Sequence, residues 1–302
     1  MRDWIDEMRQ AMRSLRRQPG FALNAIASIA LGIASVTCVY ALIDSVLLEP
    51  VPLPESERIV AVHRVGRSEA GISLPDVIAL RERLAGFQSI ATVSTDFALD
   101  RSDGETPERV HAALVESQYF DVIGLPPLLG RVLRADDDHP GAAPVVVLGE
   151  RYWRAAFAAD PAVLGRRLQL SGVDSQIVGV ISDRADLNET GTEVWAPIPP
   201  FAPWAPTSPG SNNFEAVARI AGNVEIGAAR AEMATVSAEL ARLRENPDKI
   251  LDATPWLTFV TASARQGLWL LLAAVGLLLV LATANVAALV LVRTTRRAGE
   301  LA

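Results

Sequence analysis

Two long apolar stretches lie near the two ends of the chain. Residues 20–43 and residues 266–292 contain no charged side chain. As α-helices they would be about 36 and 40 Å long, against about 30 Å of bilayer hydrocarbon. A cleaved signal peptide is the alternative for residues 1–45, but a signal core has only about 7–15 apolar residues. The pattern therefore predicts two transmembrane helices, at residues 20–45 and 266–292.

Positive charge flanks both stretches on the side away from the middle of the chain. Under the positive-inside rule, arginines mark the cytoplasmic ends of membrane spans. Both termini are then expected in the cytoplasm and residues 46–265 outside it. The arginines concerned are Arg2, Arg9, Arg13, Arg16 and Arg17 before the first stretch, and Arg293, Arg296 and Arg297 in the tail 293–302 after the second.

The region between the two stretches mixes helical and strand periodicities, which predicts an α+β domain over residues 46–265. Predicted strands lie at 58–65, 89–99, 109–115, 145–148, 167–170, 176–181, 193–196, 214–220 and 256–261, with a hairpin turn at 171–174. Predicted helices lie at 73–84, capped by Ser73, and at 118–122, 150–157 and 225–245. The proline-rich residues 197–210 are predicted to form a loop.

The longest predicted helix of this domain carries an apolar stripe with heptad spacing. Three heptads are short for a coiled coil, so the pattern favours packing on the domain's own sheet. The stripe consists of Ile226, Ala229, Met233, Val236, Leu240 and Leu243.

Residues 1–19 are predicted to form an amphipathic helix on the cytoplasmic face of the membrane. Apolar side chains recur there at helical spacing, and charged side chains fill the opposite face. A simple topological anchor and a contact with a partner protein remain equally open as its role. The apolar side chains are Trp4, Ile5, Met8, Ala11, Met12 and Leu15.

Composition excludes several classes of partner and bond. The net charge is −7, and no basic patch lies outside the two flanks, so nucleic acid is not an expected partner. Cys38 is the only cysteine and lies within the first apolar stretch, so the chain forms no internal disulfide.

No motif for catalysis or nucleotide binding is present in the sequence. Lys249 is the only lysine and lies in the context NPDKI, which excludes a phosphate-binding Walker A loop. The acidic run 136–138 with His139 lacks a defined ligand spacing and is interpreted as a solvated turn. His63 and His111 lie in predicted strands without a paired nucleophile. We therefore expect no enzyme activity, no cofactor and no metal; any ATP hydrolysis would belong to another polypeptide.

Small and amide side chains in the apolar stretches are candidates for helix–helix contacts. Ser28 and Gly32 are four residues apart, as are Ala284 and Ala288, a spacing that permits close approach of two backbones. Asn285 needs a polar partner within a membrane and is expected to face another helix.

Several segments, in order along the whole chain, resemble a MacB/FtsX-type ABC transporter permease. The resemblance is to the N-terminal part of duplicated orphan permeases of the acidobacterial type. It rests on the set of segments RSLRRQPGFALNAIASIALGIASV, LIDSVLLEPVPLPESERIVAV, GETPERVHAALVESQYFDVIGLPPLLGR, PVVVLGERYWRAAFAADPAVLGRRLQLSG and AVGLLLVLATANVAALVLVRTTRRAGELA.

This resemblance implies a fold class, a location and partners. The fold would be membrane α-helical, with two transmembrane helices, plus an α+β extracytoplasmic domain of MacB periplasmic-core type. The protein would lie in the bacterial inner membrane and act with a separate cytoplasmic ABC ATPase. Because such permeases have four or more spans, further permease spans or a second copy would complete the assembly.

Two other classes fit the same arrangement of spans. A two-span sensor would need a cytoplasmic signalling module, and only residues 293–302 follow the second span. A membrane-anchored binding or scaffold module would need no ATPase. Dependence on an ATPase therefore separates these alternatives from the permease.

Overall fold

The computed structural model describes residues 19–43, 52–65, 71–103, 107–205, 212–243 and 250–299. The chain divides into two compact units. The first comprises Met1–Glu49 together with Thr261–Ala302, and the second comprises Pro50–Val260. Most of the amphipathic helix predicted at 1–19 lies outside the described residues, as do residues 300–302 of the tail.

The first unit contains the two long apolar helices, apart from the first residues of the second helix. Helix α1 spans Pro19–Ile43, and the C-terminal helix spans Trp256–Gly299. Among the described residues, no helix taken singly combines the length and apolar composition that crossing a membrane requires. The segments Trp256–Ala262 and Gly267–Leu281 meet that requirement jointly, with a bend of 64° between them.

The second unit is built on one twisted sheet whose strands follow the order β10-β1-β9-β2-β3-β8-β5-β7-β4, with β6 paired to β2 and β7. The strands are β1 Ile59–Arg64, β2 Phe87–Arg101, β3 Glu108–Val115, β4 Leu129–Gly130, β5 Val145–Gly149, β6 Arg167–Leu170, β7 Val173–Ile181, β8 Val194–Pro197, β9 Glu215–Ile220 and β10 Leu251–Pro255. The helices are α2 Leu74–Arg81, α3 Gln118–Ile123, α4 Glu150–Phe157, α5 Ile198–Phe201, α6 Ile226–Leu243 and α7, the C-terminal helix that begins at Trp256.

Successive side chains of each strand point to opposite faces of the sheet, and the two faces pack against different cores. On one face, a single core runs across the sheet, from Ile59 and Ala61 of β1 to Trp195 of β8, and includes α3 and Trp256. On the other face the core is divided in two. Helices α2 and α6 cover strands β10, β1, β9 and the first part of β2. Helix α4 packs against the remaining strands in the second core, to which β6 contributes Leu168 and Leu170.

The structure agrees with most of the predicted elements. Ser73 caps α2 by accepting a hydrogen bond from the backbone N–H of Asp76, although the helix ends at Arg81 instead of Leu84. Helix α6 packs on the domain's own sheet, as expected, through Ala229 and Met233, whereas Leu243 at its end is exposed.

Three local predictions are wrong. Residues 256–261 begin α7 and form no strand; Pro255 has no N–H to continue a ladder and suits the position before a helix. The last strand, β10, lies just before them. Residues 198–201 of the predicted loop form α5, since prolines fit the first turn of a helix. The turn of the β6–β7 hairpin is confined to Ser171 and Gly172, because β7 already begins at Val173.

Candidate functional site

The chain enters and leaves the second unit through neighbouring strands. Strand β1 follows a single 3-10 turn, Ser56–Arg58, and β10 ends immediately before α7. The two strands are antiparallel, and Val60 at the start of β1 lies opposite Pro255 at the end of β10. We call residues 53–60 and 254–259 the junction. Both ends of the domain therefore meet at one corner of its sheet.

Arg219 of β9 holds the incoming half of the junction. Its side chain points into the shared core, where the residue is only 4% exposed. The guanidinium donates to the carbonyl oxygens of Pro54 at 3.0 Å and Glu55 at 3.3 Å. It also donates to the carbonyl oxygens of Val122 at 2.8 Å and Ile123 at 3.3 Å, at the C-terminal end of α3. One buried cation thus joins the incoming segment, α3 and the sheet.

Electrostatics make Arg219 costly to bury. Burial and the nearby positive charge of Arg58 lower the pKa of Arg219, and the carboxylates of Glu55 and Glu57 act in the opposite direction. The guanidinium nevertheless remains protonated at neutral pH because an arginine titrates far above that range. Its charge is compensated mainly by carbonyl dipoles, including those at the negative end of α3.

A strained turn depends on the same two arginines. Glu55 adopts a left-handed backbone conformation with φ of 47°, which costs a residue other than glycine about 1 kcal/mol. Its carbonyl oxygen accepts from Arg219 and from the backbone N–H of Arg58, and its carboxylate pairs with the Arg58 guanidinium. Arg58 also donates twice to the carbonyl oxygen of Ile220, at 2.6 and 2.9 Å. The turn is therefore fastened to β9.

Aromatic packing holds the outgoing half of the junction. Trp256, the first residue of α7, is 2% exposed within the shared core. Phe259, one turn later, stacks on the imidazole of His63 with ring centroids 5.2 Å apart. His63 Nε2 lies 2.9 Å from the hydroxyl of Thr254. The first turn of α7 is thus part of the folded domain.

Helix α3 is fixed at both ends. Its last carbonyls bind Arg219, and Tyr119 donates its hydroxyl hydrogen to the carbonyl oxygen of Ala185 at 2.7 Å. At its start, the backbone N–H of Ser117 donates to Asp138 Oδ2 at 2.6 Å. Burial raises the pKa of Asp138 to about 6, with the neighbouring carboxylates of Glu116 and Asp137 acting in the same direction and the hydrogen bonds from Ser117 opposing them.

The family model described as the MacB-like periplasmic core domain matches residues 22–243. The chain belongs to this family. The match confirms the resemblance to MacB/FtsX-type permeases drawn from the sequence, and it confirms the α+β part of the predicted fold class. No curated protein matches the sequence.

Two solved structures share the fold of this MacB-like domain. A domain assigned to a permease protein from Porphyromonas gingivalis aligns with a TM-score of 0.52 at 17% identity, over 67% of this chain and 92% of that one. The periplasmic region of MacB from Actinobacillus actinomycetemcomitans aligns with a TM-score of 0.50 at 20% identity, over 69% of this chain and 94% of that one. At these identities the likeness establishes the fold alone.

The predicted helix–helix contacts fall in the first unit of this MacB-like chain. Gly32 is buried, and a β-carbon added there would lie 2.8 Å from Leu279 Cδ1 of α7, so the two helices approach closely at this glycine. Ala284 and Ala288 are exposed in the structure. The side chains of Ser28 and Asn285 lie outside the described residues. The role of all five in helix contacts stays a prediction.

The acidic run 136–138, interpreted from the sequence as a solvated turn, contains two carboxylates that accept hydrogen bonds within the MacB-like domain. Burial acts to raise the pKa of Asp137, but hydrogen bonds from the Arg131 guanidinium and the Arg134 backbone lower it below its usual value. Within the described ranges, no three His, Cys, Asp or Glu side chains are grouped as metal ligands. His139 and His111 are both exposed.

Sequence reasoning missed the junction arginines. Arg219 lies in the strand segment EAVARI, where a single arginine among apolar residues was the available signal. A charge on a strand face that alternation assigns to the core needs a buried set of acceptors. Which acceptors these are depends on α3 and the 53–58 segment, more than ninety residues away along the chain.

Proposed function

We propose that this chain is a permease component of an ABC-type assembly in the bacterial plasma membrane. In this proposal residues 20–45 and 266–292 cross the bilayer, both termini lie in the cytoplasm, and the MacB-like domain works outside it. A separate cytoplasmic ATPase supplies the energy. The membrane lipid bilayer and further permease spans, or a second copy of the chain, are the remaining partners.

The observation that carries the proposal is the junction. Its two halves lead toward the two apolar helices, and both are fastened to the same corner of one sheet. Because β1 and β10 are hydrogen-bonded neighbours, a displacement applied to either chain end would move this corner as a unit. Buried contacts of Arg219 and Trp256 would then pass the displacement into α3 and the shared core. This arrangement supports the proposed coupling of the domain to movements applied at its two chain ends.

The absence of a Walker A motif and of any convergent nucleophile, base or metal set in the sequence fits this division of labour. The domain would bind or move material outside the membrane, and the chemistry would occur on the partner ATPase. The chain itself is then proposed to have no enzymatic activity.

Topology is tested first, with single cysteines in a Cys38→Ser background. Asp136 is exposed on the MacB-like domain, and Gly299 ends α7. Asp136→Cys is expected to react with a membrane-impermeant maleimide in cells with a permeabilised outer envelope but an intact inner membrane. Gly299→Cys is expected to react only after the inner membrane is lysed. Equal labelling of both sites in cells whose outer envelope is permeabilised and whose inner membrane is intact would contradict the proposed arrangement.

ATPase coupling is tested on the full chain purified from detergent-solubilised host membranes. The expected companion is a P-loop ATPase, with an unrelated two-span membrane protein as bait control. Hydrogen exchange is then measured along the MacB-like domain, including the amides of α3 and of Trp256–Phe259, and compared between nucleotide-free and vanadate-trapped complexes. A change confined to the junction and α3 is expected. Recovery of the chain without any ATPase would leave a membrane-anchored binding or scaffold module.

A further inference from the structure

Strand β10 lies at the outer edge of the sheet. It is the first strand of the order and pairs only with β1 among the described strands. An exposed strand edge presents unpaired backbone groups and is a template for pairing with another chain. The edge of β10 matters especially because this strand leads directly into α7.

The outward-facing backbone N–H groups of β10 can be identified from its register. The backbone N–H of Val65 donates to the carbonyl oxygen of Ile250 at 2.9 Å, so residues 250, 252 and 254 face β1. Residues 251, 253 and 255 therefore direct their backbone N–H positions away from the sheet.

None of these three positions offers a free N–H group. The N–H of Leu251 donates to Ser237 Oγ at 3.0 Å, and the N–H of Ala253 donates to Asp252 Oδ1 at 2.8 Å. Pro255 has no N–H. The carbonyl oxygen of Leu251 also lies 3.4 Å from Ser237 Oγ.

The two groups that accept these N–H hydrogens, Ser237 Oγ and Asp252 Oδ1, are here called the blocking groups. Helix α6 supplies the first and holds the second in place. Ser237 lies on its buried side and is 1% exposed. Arg230, two turns earlier, donates to both carboxylate oxygens of Asp252, with Nε–Oδ1 at 2.9 Å and Nη2–Oδ2 at 2.5 Å. This paired arrangement fixes Asp252 Oδ1 where it can also accept from Ala253.

We propose that Ser237 and the Arg230–Asp252 pair seal the outer edge of β10 against strand addition. The pairing they prevent is with β10 of a second copy of this chain, since a two-fold axis beside the strand would bring identical edges together. Copies of the chain can then share a membrane without their edge strands joining. The inference stands independently of ATP coupling.

The first test uses the wild-type full chain in detergent. Hydrogen exchange of the Leu251 and Ala253 amides is measured against that of Asp252, whose N–H faces β1. Sealed amides are expected to exchange within about tenfold of the Asp252 rate. Exchange as fast as in an exposed loop would overturn the seal without any variant.

The second test opens the edge. The double variant Ser237→Ala/Asp252→Ala removes both blocking groups, and it is expected to speed exchange at Leu251 and Ala253 at least about tenfold and to raise self-association measured by light scattering. The matched control is Thr235→Ala/Glu239→Ala: Thr235 donates to Ala231 on its own helix and Glu239 pairs with Arg83, so neither touches β10.

A conservative variant separates sealing from stability. The single variant Asp252→Asn retains Ser237 and keeps Oδ1 as acceptor for both the Ala253 N–H and Arg230 Nε; it loses only the negative charge and the Oδ2 contact with Arg230 Nη2. This variant is expected to remain sealed and to self-associate no more than wild type. Self-association of the double variant equal to that of its matched control would refute the proposal, and so would association of Asp252→Asn equal to that of the double variant.

Discussion

Removal of the Arg219 guanidinium tests the structure of the junction most directly. Arg219→Met retains an unbranched side chain in the shared core but withdraws the donors from four carbonyl oxygens. Each such hydrogen bond contributes about 0.5–1.5 kcal/mol net, and removal of the buried charge recovers part of that sum. We expect a loss of about 3 kcal/mol in the free energy of unfolding. For a unit of this size the melting temperature should fall by about 6–12 °C.

The assay is urea unfolding of the full chain in detergent, followed by tryptophan fluorescence and by far-UV circular dichroism. Arg219→Lys is expected to lose about half as much, because one ammonium group cannot span all four acceptors. The control is Arg167→Met, which removes an exposed arginine paired with Asp174 and should cost less than about 1 kcal/mol. If Arg219→Met unfolds within about 0.5 kcal/mol of wild type, or no earlier than Arg167→Met, the carbonyl contacts do not stabilise the junction as argued.

Two further predictions concern the same domain. Because the folded pKa of Asp138 is raised to about 6, the stability it contributes is present below about pH 4 and is lost as pH rises through 6. Asp138→Asn should therefore be more stable than wild type by up to about 2 kcal/mol at pH 7.5 and no different at pH 4 in urea unfolding, and an equal difference at both pH values would contradict the argument. Gly130 has φ of 67°, and a β-carbon there would overlap the carbonyl oxygen of Val178, so Gly130→Ala should cost more than about 2 kcal/mol. Gly172→Ala, with a similar φ but open space around it, should cost only about 1 kcal/mol in the same urea unfolding assay, and equal costs would contradict the overlap.

Most strands of the domain were predictable because they carry apolar residues that pack in its buried cores. Alternation in β1 and β9 places Ile59, Ala61 and Val217 on one face, and the structure buries them together. Helix α2 was predictable for a local reason, since Ser73 and Asp76 form a cap within four residues. Such elements depend on short sequence spacing alone.

The pairing of the strands could not be obtained this way. Strand β10 joins β1 across almost the whole domain, and the aromatic and β-branched residues of 256–261 imitate a strand where α7 begins. A short apolar run of this kind does not exclude a helix when the following segment is strongly apolar and helical. The position of Pro255 was the signal that should have ended the strand.

The placement of charge within the domain follows from its attachment at one corner. An α+β core with polar groups only on its surface would fold, but its two chain ends would be held only by the β1–β10 hydrogen bonds and by the packing of Trp256 and Phe259. Arg219 and Arg58 add donors that tie the incoming turn to β9 and α3, and Asp252 adds a second tie between β10 and α6. Each is a charge whose desolvation is a cost to folding, and each lies where the chain enters or leaves the sheet. Under the proposed function, a domain that is moved through those two ends needs them fixed to its core.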